Sequence, residues 1–185
     1  MPHKVEIEIG GRTLTIGTGH LAKQANGAVT VQYGESMVIS SVCADKEPRL
    51  GFDFFPLTVE YREKSYAAGK IPGGFFKREA RPSEKEILSA RAIDRPIRPL
   101  FPDDFMGETQ CITYVVSHDQ QNDTDILAMN GTAAALAISD VPFKKTIAGV
   151  KVGRIDGQFV INPTIENHSD VDVAFTQVLD SRIDN

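Results

Sequence analysis

The sequence predicts a single α+β domain. Three observations predict it. From Val5 to Tyr61, short runs that alternate apolar and polar residues are joined by glycine-bearing turns, as strands are. Two later segments carry helical patterning, one opened by an S-x-x-E capping box at Ser83–Glu86 and one an alanine-rich run over Asp125–Ser139. Strand patterning then returns around Asp156-Gly157. Strands in runs with two helices between them describe an α+β layout, not a regular alternation of strand and helix.

Taken in order, Val5–Ile9 alternates, Gly10-Gly11 supplies a tight turn, and Leu14–Ile16 returns, which reads as a hairpin. Ala28–Gln32 and Ser36–Ala44 read as two more strands around Tyr33-Gly34-Glu35. Leu57–Tyr61 is another, with Pro56 at its start, where a missing N–H does least harm. The first helix follows Pro82 and Ser83 and runs to about Asp94. Gln110–Ser117 is a strand rich in β-branched residues. The second helix has Asn122 or Asp123 as its cap, and its alanines with Gly131 suit close packing on a sheet. Gly149–Ile155 and Gln158–Ile161 flank Asp156-Gly157, a hairpin signal, and Val171–Phe175 is the last strand.

The stretch from Ala68 to Pro102 concentrates the chemistry. Gly69, Pro72, Gly73 and Gly74 mark a connecting loop. Phe75 and Phe76 follow, and two neighbouring aromatics on a loop cannot both turn inward at low cost. Lys77, Arg78 and Arg81 place positive charge beside the rings. Aromatic faces stack on unpaired bases and cations track phosphates, so the group suits a nucleic acid with unpaired bases, with both rings exposed in its absence. The competing reading puts one Phe in the core and leaves the charges as a solvated rim.

Arg91, Arg95 and Arg98 are spaced i, i+4, i+7. Arg95 and Arg98 each precede a proline, which disfavours helical geometry, so Arg91 is expected on the helix and the other two on an extended exit. Three arginines on a rigid element suit phosphates or carboxylates. Internal pairing with Glu84, Glu86, Asp94 or Asp103-Asp104 is the alternative.

At 185 residues, the chain is long enough for one domain with a sizeable core. No segment has the apolar length of a membrane span, and the first ten residues lack the apolar middle of a signal peptide. Cys43 and Cys111 lie far apart in apolar, strand-like runs, which reads as two buried reduced thiols in a cytoplasmic protein. The net charge of −5 argues against a protein that coats nucleic acid. From Lys70 to Arg98, however, there are eight Lys/Arg and four Asp/Glu, a net of +4 on an otherwise acidic body.

Other motifs are weaker. Ala68-Gly69-Lys70-Ile71 lacks the glycine spacing and the hydroxyl residue of a phosphate loop. His3, His20, His118 and His168 have no metal spacing. Asp119, Asp123 and Asp125 suit either a cation or a loop and helix start.

The run FFKREARPSEKEILSARAIDRPIRPLFP, its approach DFFPLTVEYREKSYAAGKIPGGFF, the later Asn162–Thr164 and the small-residue helix around Asn130–Ile138 resemble the first RNase PH-type domain of the bacterial polynucleotide phosphorylases. The resemblance runs from about Val5 to about Val173. It implies the RNase PH fold, a mixed sheet with packed helices, over residues 1–185. It also implies that Phe75, Phe76, Lys77 and Arg78 line the entrance for single-stranded RNA. Lys77 stands where the family usually has arginine, which keeps the charge and loses the planar fork.

The family degrades RNA from 3′ to 5′ with inorganic phosphate and a divalent metal, Mg, as a homotrimeric ring in the cytoplasm. By the same resemblance the metal and phosphate site belongs to a second RNase PH-type half, absent here together with the helical linker and appended RNA-binding domains. No catalytic residue, metal or cofactor is therefore expected in this segment. Glu166 and Asp172, with Gly131-Thr132, read as the eroded counterpart of that site. A non-catalytic RNA-binding or scaffold subunit of an exosome-like ring is the alternative.

Overall fold

The computed structural model describes residues 2–48, 53–143, 145–164 and 173–180. In order the elements are β1 (His3–Ile9), β2 (Arg12–Thr18), β3 (Gly27–Tyr33), β4 (Ser36–Pro48), β5 (Leu57–Glu63), α1 (Glu84–Ile97), β6 (Gly107–Ser117), α2 (Thr124–Ile138), β7 (Ile147–Ile155), β8 (Gln158–Ile161) and β9 (Val173–Asp180). Short 3-10 turns at Ser65–Ala68 and Arg98–Leu100 flank α1 and the loop before it.

Strands β1 to β4 form an antiparallel meander, extended by β6 and then by β5 as the outer strand, in the order β1-β2-β3-β4-β6-β5. The β5–β6 pair is parallel, because α1 lies in the crossover between them. A second sheet has the order β8-β7-β9, all antiparallel. At the β7–β8 turn Asp156 and Gly157 both take positive φ, as a two-residue hairpin of this hand requires.

Helix α2 packs against β3, β4 and β6 and also against β7. It therefore has sheet on two sides, which explains why Ile126, Leu127, Met129, Ala133 and Leu136 are all buried although they do not share one face. A side chain at Gly131 would run into Ser40 of β4, and one at Gly149 of β7 into Met129, so each glycine permits one of the two close approaches. Inside this layer the hydroxyls of Ser40, Thr113 and Thr132 are linked at 2.8 and 3.2 Å, which satisfies polar groups that have no access to water.

Two expectations are corrected. Helix α1 does not stop at Asp94 but continues through Pro96 to Ile97, and Arg98 is also helical in φ and ψ. Pro96 falls in the last turn, where it forfeits one helical hydrogen bond, and burial of Ile93 and Ile97 holds that turn against the core. Cys43 is exposed while Cys111 is buried. Cys43 follows the buried Val42 on β4, and successive strand residues point to opposite faces. The last strand is described from Val173, so Val171 and Asp172 of the expected strand lie outside the described residues.

Candidate nucleic-acid interface

The loop from Gly69 to Pro82 joins a 3-10 turn to α1. Its end nearest the helix is moored. Glu79 accepts from Lys64 Nζ at 2.8 Å and from the Ser65 N–H at 3.0 Å, and Arg62 donates to the Ala80 carbonyl at 3.0 Å. The lysine and then the backbone N–H hold the Glu79 carboxyl below the usual carboxylate range. Lys64 also lies over the Tyr114 ring, 4.6 Å from its centre. Ser83 then opens α1 with both halves of a capping box, and Glu86 reaches further, to the Glu63 N–H at 2.8 Å. Burial pushes the Glu86 carboxyl up, but the N–H donors of Ser83 and Glu63, the Ser83 hydroxyl and Arg62 outweigh it and leave the group low.

Beyond these moorings the loop projects. Phe75 is 94% exposed and Phe76 80%, with the rings edge to face at 5.4 Å. Neither ring enters the core. Gly74 and Lys77 take positive φ at the turn that presents them. Lys70, Lys77, Arg78 and Arg81 are exposed and form no ion pair among the described residues. Two apolar faces beside several unneutralised cations can stack on bases and approach phosphates together.

The three arginines separate. Arg98 grips Asp94 through two nitrogens, at 3.1 and 2.7 Å, and donates to the carbonyls of Phe55 at 3.3 Å and Leu57 at 3.1 Å. It fastens α1 to the start of β5, which is the internal pairing that the sequence left open with Asp94. Arg91 and Arg95 are exposed and without an ion pair among the described residues. Arg91 lines a groove of about 550 Å3 between α1 and β5, with Val59, Tyr61, Arg62, Ile87 and Ala90.

Gly131 and Thr132 lie mid-way along α2, buried, with the Thr132 hydroxyl engaged by Thr113. Glu166 and Asp172 lie outside the described residues. Among the described residues no three His, Cys, Asp or Glu side chains gather as a metal site would need. Asp119 instead closes the turn before α2, accepting from Ser36 Oγ at 2.9 Å and from the N–H groups of Gln121 and Asn122 at 2.8 and 2.9 Å. Burial opposes its charge, but these donors and the Asn122 amide bring the carboxyl down to about 2. Asp123 pairs with Lys151, and burial first, then Asp123, pushes the Asp125 carboxyl up.

No local pattern singles out Arg12, which donates to the Asn122 side chain and to the Asn162 carbonyl and lies over the Tyr33 ring. With the Lys151–Asp123 pair it ties the smaller sheet to the larger one. Asn162, from the Asn-Pro-Thr motif, holds both backbone groups of Lys151, so that motif is a fastener of β7 to β8.

Residues 10–142 match the 3′ exoribonuclease family, domain 1, and residues 145–181 match its domain 2. The chain belongs to the 3′ exoribonuclease family. Within it, the polyribonucleotide nucleotidyltransferase of Geobacter sulfurreducens is 59% identical over 183 residues, covering 98% of this chain and 26% of that protein. The protein of the same name from Brucella ovis is 60% identical over 164 residues, covering 89% and 23%. The chain thus spans about a quarter of the length of the relatives it matches. Rice (Oryza sativa) Rrp46 shares the fold, with a TM-score of 0.67 over 96% of this chain and 75% of that one, at 14% identity. The RNase PH-type fold of the family is thus also the fold of the described residues. No helix among them is long and apolar enough to cross a membrane.

Proposed function

We propose that this chain forms the RNA-facing part of a phosphorolytic 3′-to-5′ exoribonuclease. The observation that carries the proposal is the pair of projecting rings, Phe75 and Phe76, beside Lys77, Arg78 and Arg81, none of them neutralised within the described chain. Similarity over nearly the whole chain to proteins named polyribonucleotide nucleotidyltransferase supports the reaction. In it, an oxygen of inorganic phosphate attacks the phosphorus of the 3′-terminal phosphodiester. The 3′ oxygen of the preceding ribose leaves, and a nucleoside diphosphate is released; the reverse step extends RNA. Arg95, exposed on α1, adds to the cationic surface, and Arg91 faces the neighbouring groove.

A divalent metal such as Mg would neutralise charge at phosphorus when bound. The described residues do not fit it, so no step through it is assigned to them. The longer protein is read as a cytoplasmic homotrimeric ring and residues 1–185 as one RNase PH-type domain, a unity supported by α2 packing on both sheets. A second reading, a non-catalytic RNA-binding or scaffold subunit of a ring, is favoured by the buried, engaged hydroxyl of Thr132. Phosphate-dependent release of nucleoside diphosphates by the longer protein decides between them.

Binding by the chain itself is tested by titrating a short single-stranded oligoribonucleotide at several salt concentrations. Phe76→Ala should weaken binding by about 1–3 kcal/mol and leave the salt slope unchanged, because stacking carries no charge. Arg78→Ala should weaken binding and flatten the slope by about 0.7, one phosphate's worth of released counterion on a single strand. Equal binding of duplex RNA, or indifference to both substitutions, would refute the proposal.

A further inference from the structure

The 3-10 turn at the root of the projecting loop carries a third ring. Tyr66 is 60% exposed, and its hydroxyl has no hydrogen bond among the described residues. The backbone beneath it is fixed. The Lys64 N–H donates to the Val115 carbonyl and the His118 N–H to the Ala67 carbonyl, which fastens the turn to β6 and its end on both sides of Tyr66. The Tyr66 carbonyl accepts from the Gly69 N–H at 2.9 Å. At Ser65 the two ends of the loop meet. Its N–H donates to Glu79 at 3.0 Å, and its carbonyl accepts from the Lys70 N–H at 3.0 Å. Tyr66 is therefore the chain neighbour of a residue that holds both Lys70 and the residue after Arg78. From Arg62 to Pro82 the only carboxylates are Glu63 and Glu79. Each is paired, Glu63 with Lys85 at 2.7 Å and Glu79 with Lys64 at 2.8 Å. Lys70, Lys77, Arg78 and Arg81 pair with no carboxylate among the described residues, so the surface around Tyr66 keeps a cationic surplus.

We infer that Tyr66 is a further stacking platform for single-stranded RNA, at the root of the loop, holding a second base of the strand that meets Phe75 and Phe76. The inference rests on the RNA-facing reading of the loop and deepens it by giving the contact a length. The two phenylalanine rings stand at 84° to each other, so one column of stacked bases lies flat on only one of them. A second hold on the same column needs a ring elsewhere, and Tyr66 supplies it. From Phe76 to Glu79 the chain can reach about 10 Å when extended, and stacked bases follow one another at about 3.4 Å. Root and tip are thus about three bases apart, with Arg78 between them for an intervening phosphate. The platforms differ in kind. The phenylalanines ride on the projecting segment, whereas Tyr66 stands on moored backbone, so binding has only its side-chain torsions to order.

The test uses the 185-residue chain with fluorescein-labelled oligoadenylates of two and of eight nucleotides. The octamer can reach both platforms and the dinucleotide only one. Tyr66→Ala should weaken octamer binding about tenfold, the loss expected of one stacked base, and leave its salt slope unchanged. Dinucleotide binding should change less than about twofold, because the phenylalanines still hold it. Tyr66→Phe keeps the ring and should bind the octamer as the parent does. An octamer carrying one 5-iodouridine, irradiated and mapped by mass spectrometry, should crosslink to Tyr66 as well as to the phenylalanines. The inference falls if Tyr66→Ala binds the octamer like the parent, or if Tyr66→Phe is as weak as Tyr66→Ala. It falls equally if Tyr66→Ala weakens both lengths alike, since Tyr66 would then shape the loop without touching a second base. Phe76→Ala separates the two failures. A loss at Phe76 with none at Tyr66 ends this inference and leaves the RNA-facing reading standing. Indifference at both, or no octamer binding at roughly millimolar concentration, ends both.

Discussion

Of the three arginines on and after α1, the structure makes one a fastener and leaves two facing outward, and a pair of substitutions separates these roles. Arg98→Ala removes a two-nitrogen grip on Asp94 and two bonds to the carbonyls of Phe55 and Leu57. Hydrogen bonds to a charged group are worth about 1.5–3 kcal/mol where water is excluded. Arg98 is 42% exposed and Asp94 26%, so solvent screening reduces the expected loss to about 1–2 kcal/mol. For a domain of this size that lowers the midpoint of thermal unfolding by about 2–8 °C. Arg95→Ala removes an exposed charge without an ion pair among the described residues, so the midpoint should stay within about 1 °C of the parent. Its effect should appear in single-stranded RNA binding, where the salt slope falls by about 0.7 if Arg95 meets a phosphate. Thermal unfolding by circular dichroism and titrations at several salt concentrations give both readouts on the same samples. An Arg98→Ala protein that melts at the parent temperature, or an Arg95→Ala protein that melts lower than Arg98→Ala, would refute the assignment.

Asp119 makes stability depend on acid. Its folded carboxyl, at about 2, lies below the 3.8 of an unperturbed aspartate, so it stabilises the fold above 3.8 and loses that effect as pH falls toward 2. Urea unfolding across pH should show Asp119→Asn less stable at neutral pH, with the gap closing below pH 2. Thr132→Val keeps the side-chain shape but breaks the hydroxyl chain to Thr113, and should cost about 1–2 kcal/mol in urea unfolding with RNA binding unchanged. A loss of RNA binding without a loss of stability would make Thr132 a ligand group instead. The isolated chain with RNA, phosphate and Mg should release no nucleoside diphosphate by chromatography; release abolished by Asp172→Asn would place catalysis here.

Much of the fold was legible because its signals are local. The Gly10-Gly11 and Asp156-Gly157 turns and the Ser83–Glu86 capping box each act within a few residues, and all three form as expected. The exposure of Phe75 and Phe76 was legible for the same reason, since a glycine-rich approach decides it. Arg98 was not, because the carbonyls it binds lie just before and at the start of β5, more than forty residues earlier in the chain. Proline spacing argued for an extended exit from α1, and the burial of Ile93 and Ile97 overrode it. The exposure of Cys43 follows from strand parity with the buried Val42, which outweighs the apolar run around it. The burial of Gly131 and Thr132 was not legible, because nothing local reveals that sheet covers α2 from two sides.

That double cover has a consequence for how the chain is made. Translation delivers α2 before β7, β8 and β9, so during synthesis the helix meets only the six-stranded sheet. At about 5–20 residues per second, the segment from Ile138 to Asp180 takes about 2–8 s to appear. Throughout that interval the side of α2 that carries Met129, later covered by Gly149, is open to any apolar surface nearby. The nascent protein is therefore most vulnerable to mispairing and chaperone capture after its larger sheet has closed. A ribosome stalled so that Ile138 has just left the exit tunnel should hold a chain that binds a trigger-factor-type holdase, and one stalled so that Asp180 has left it should release it.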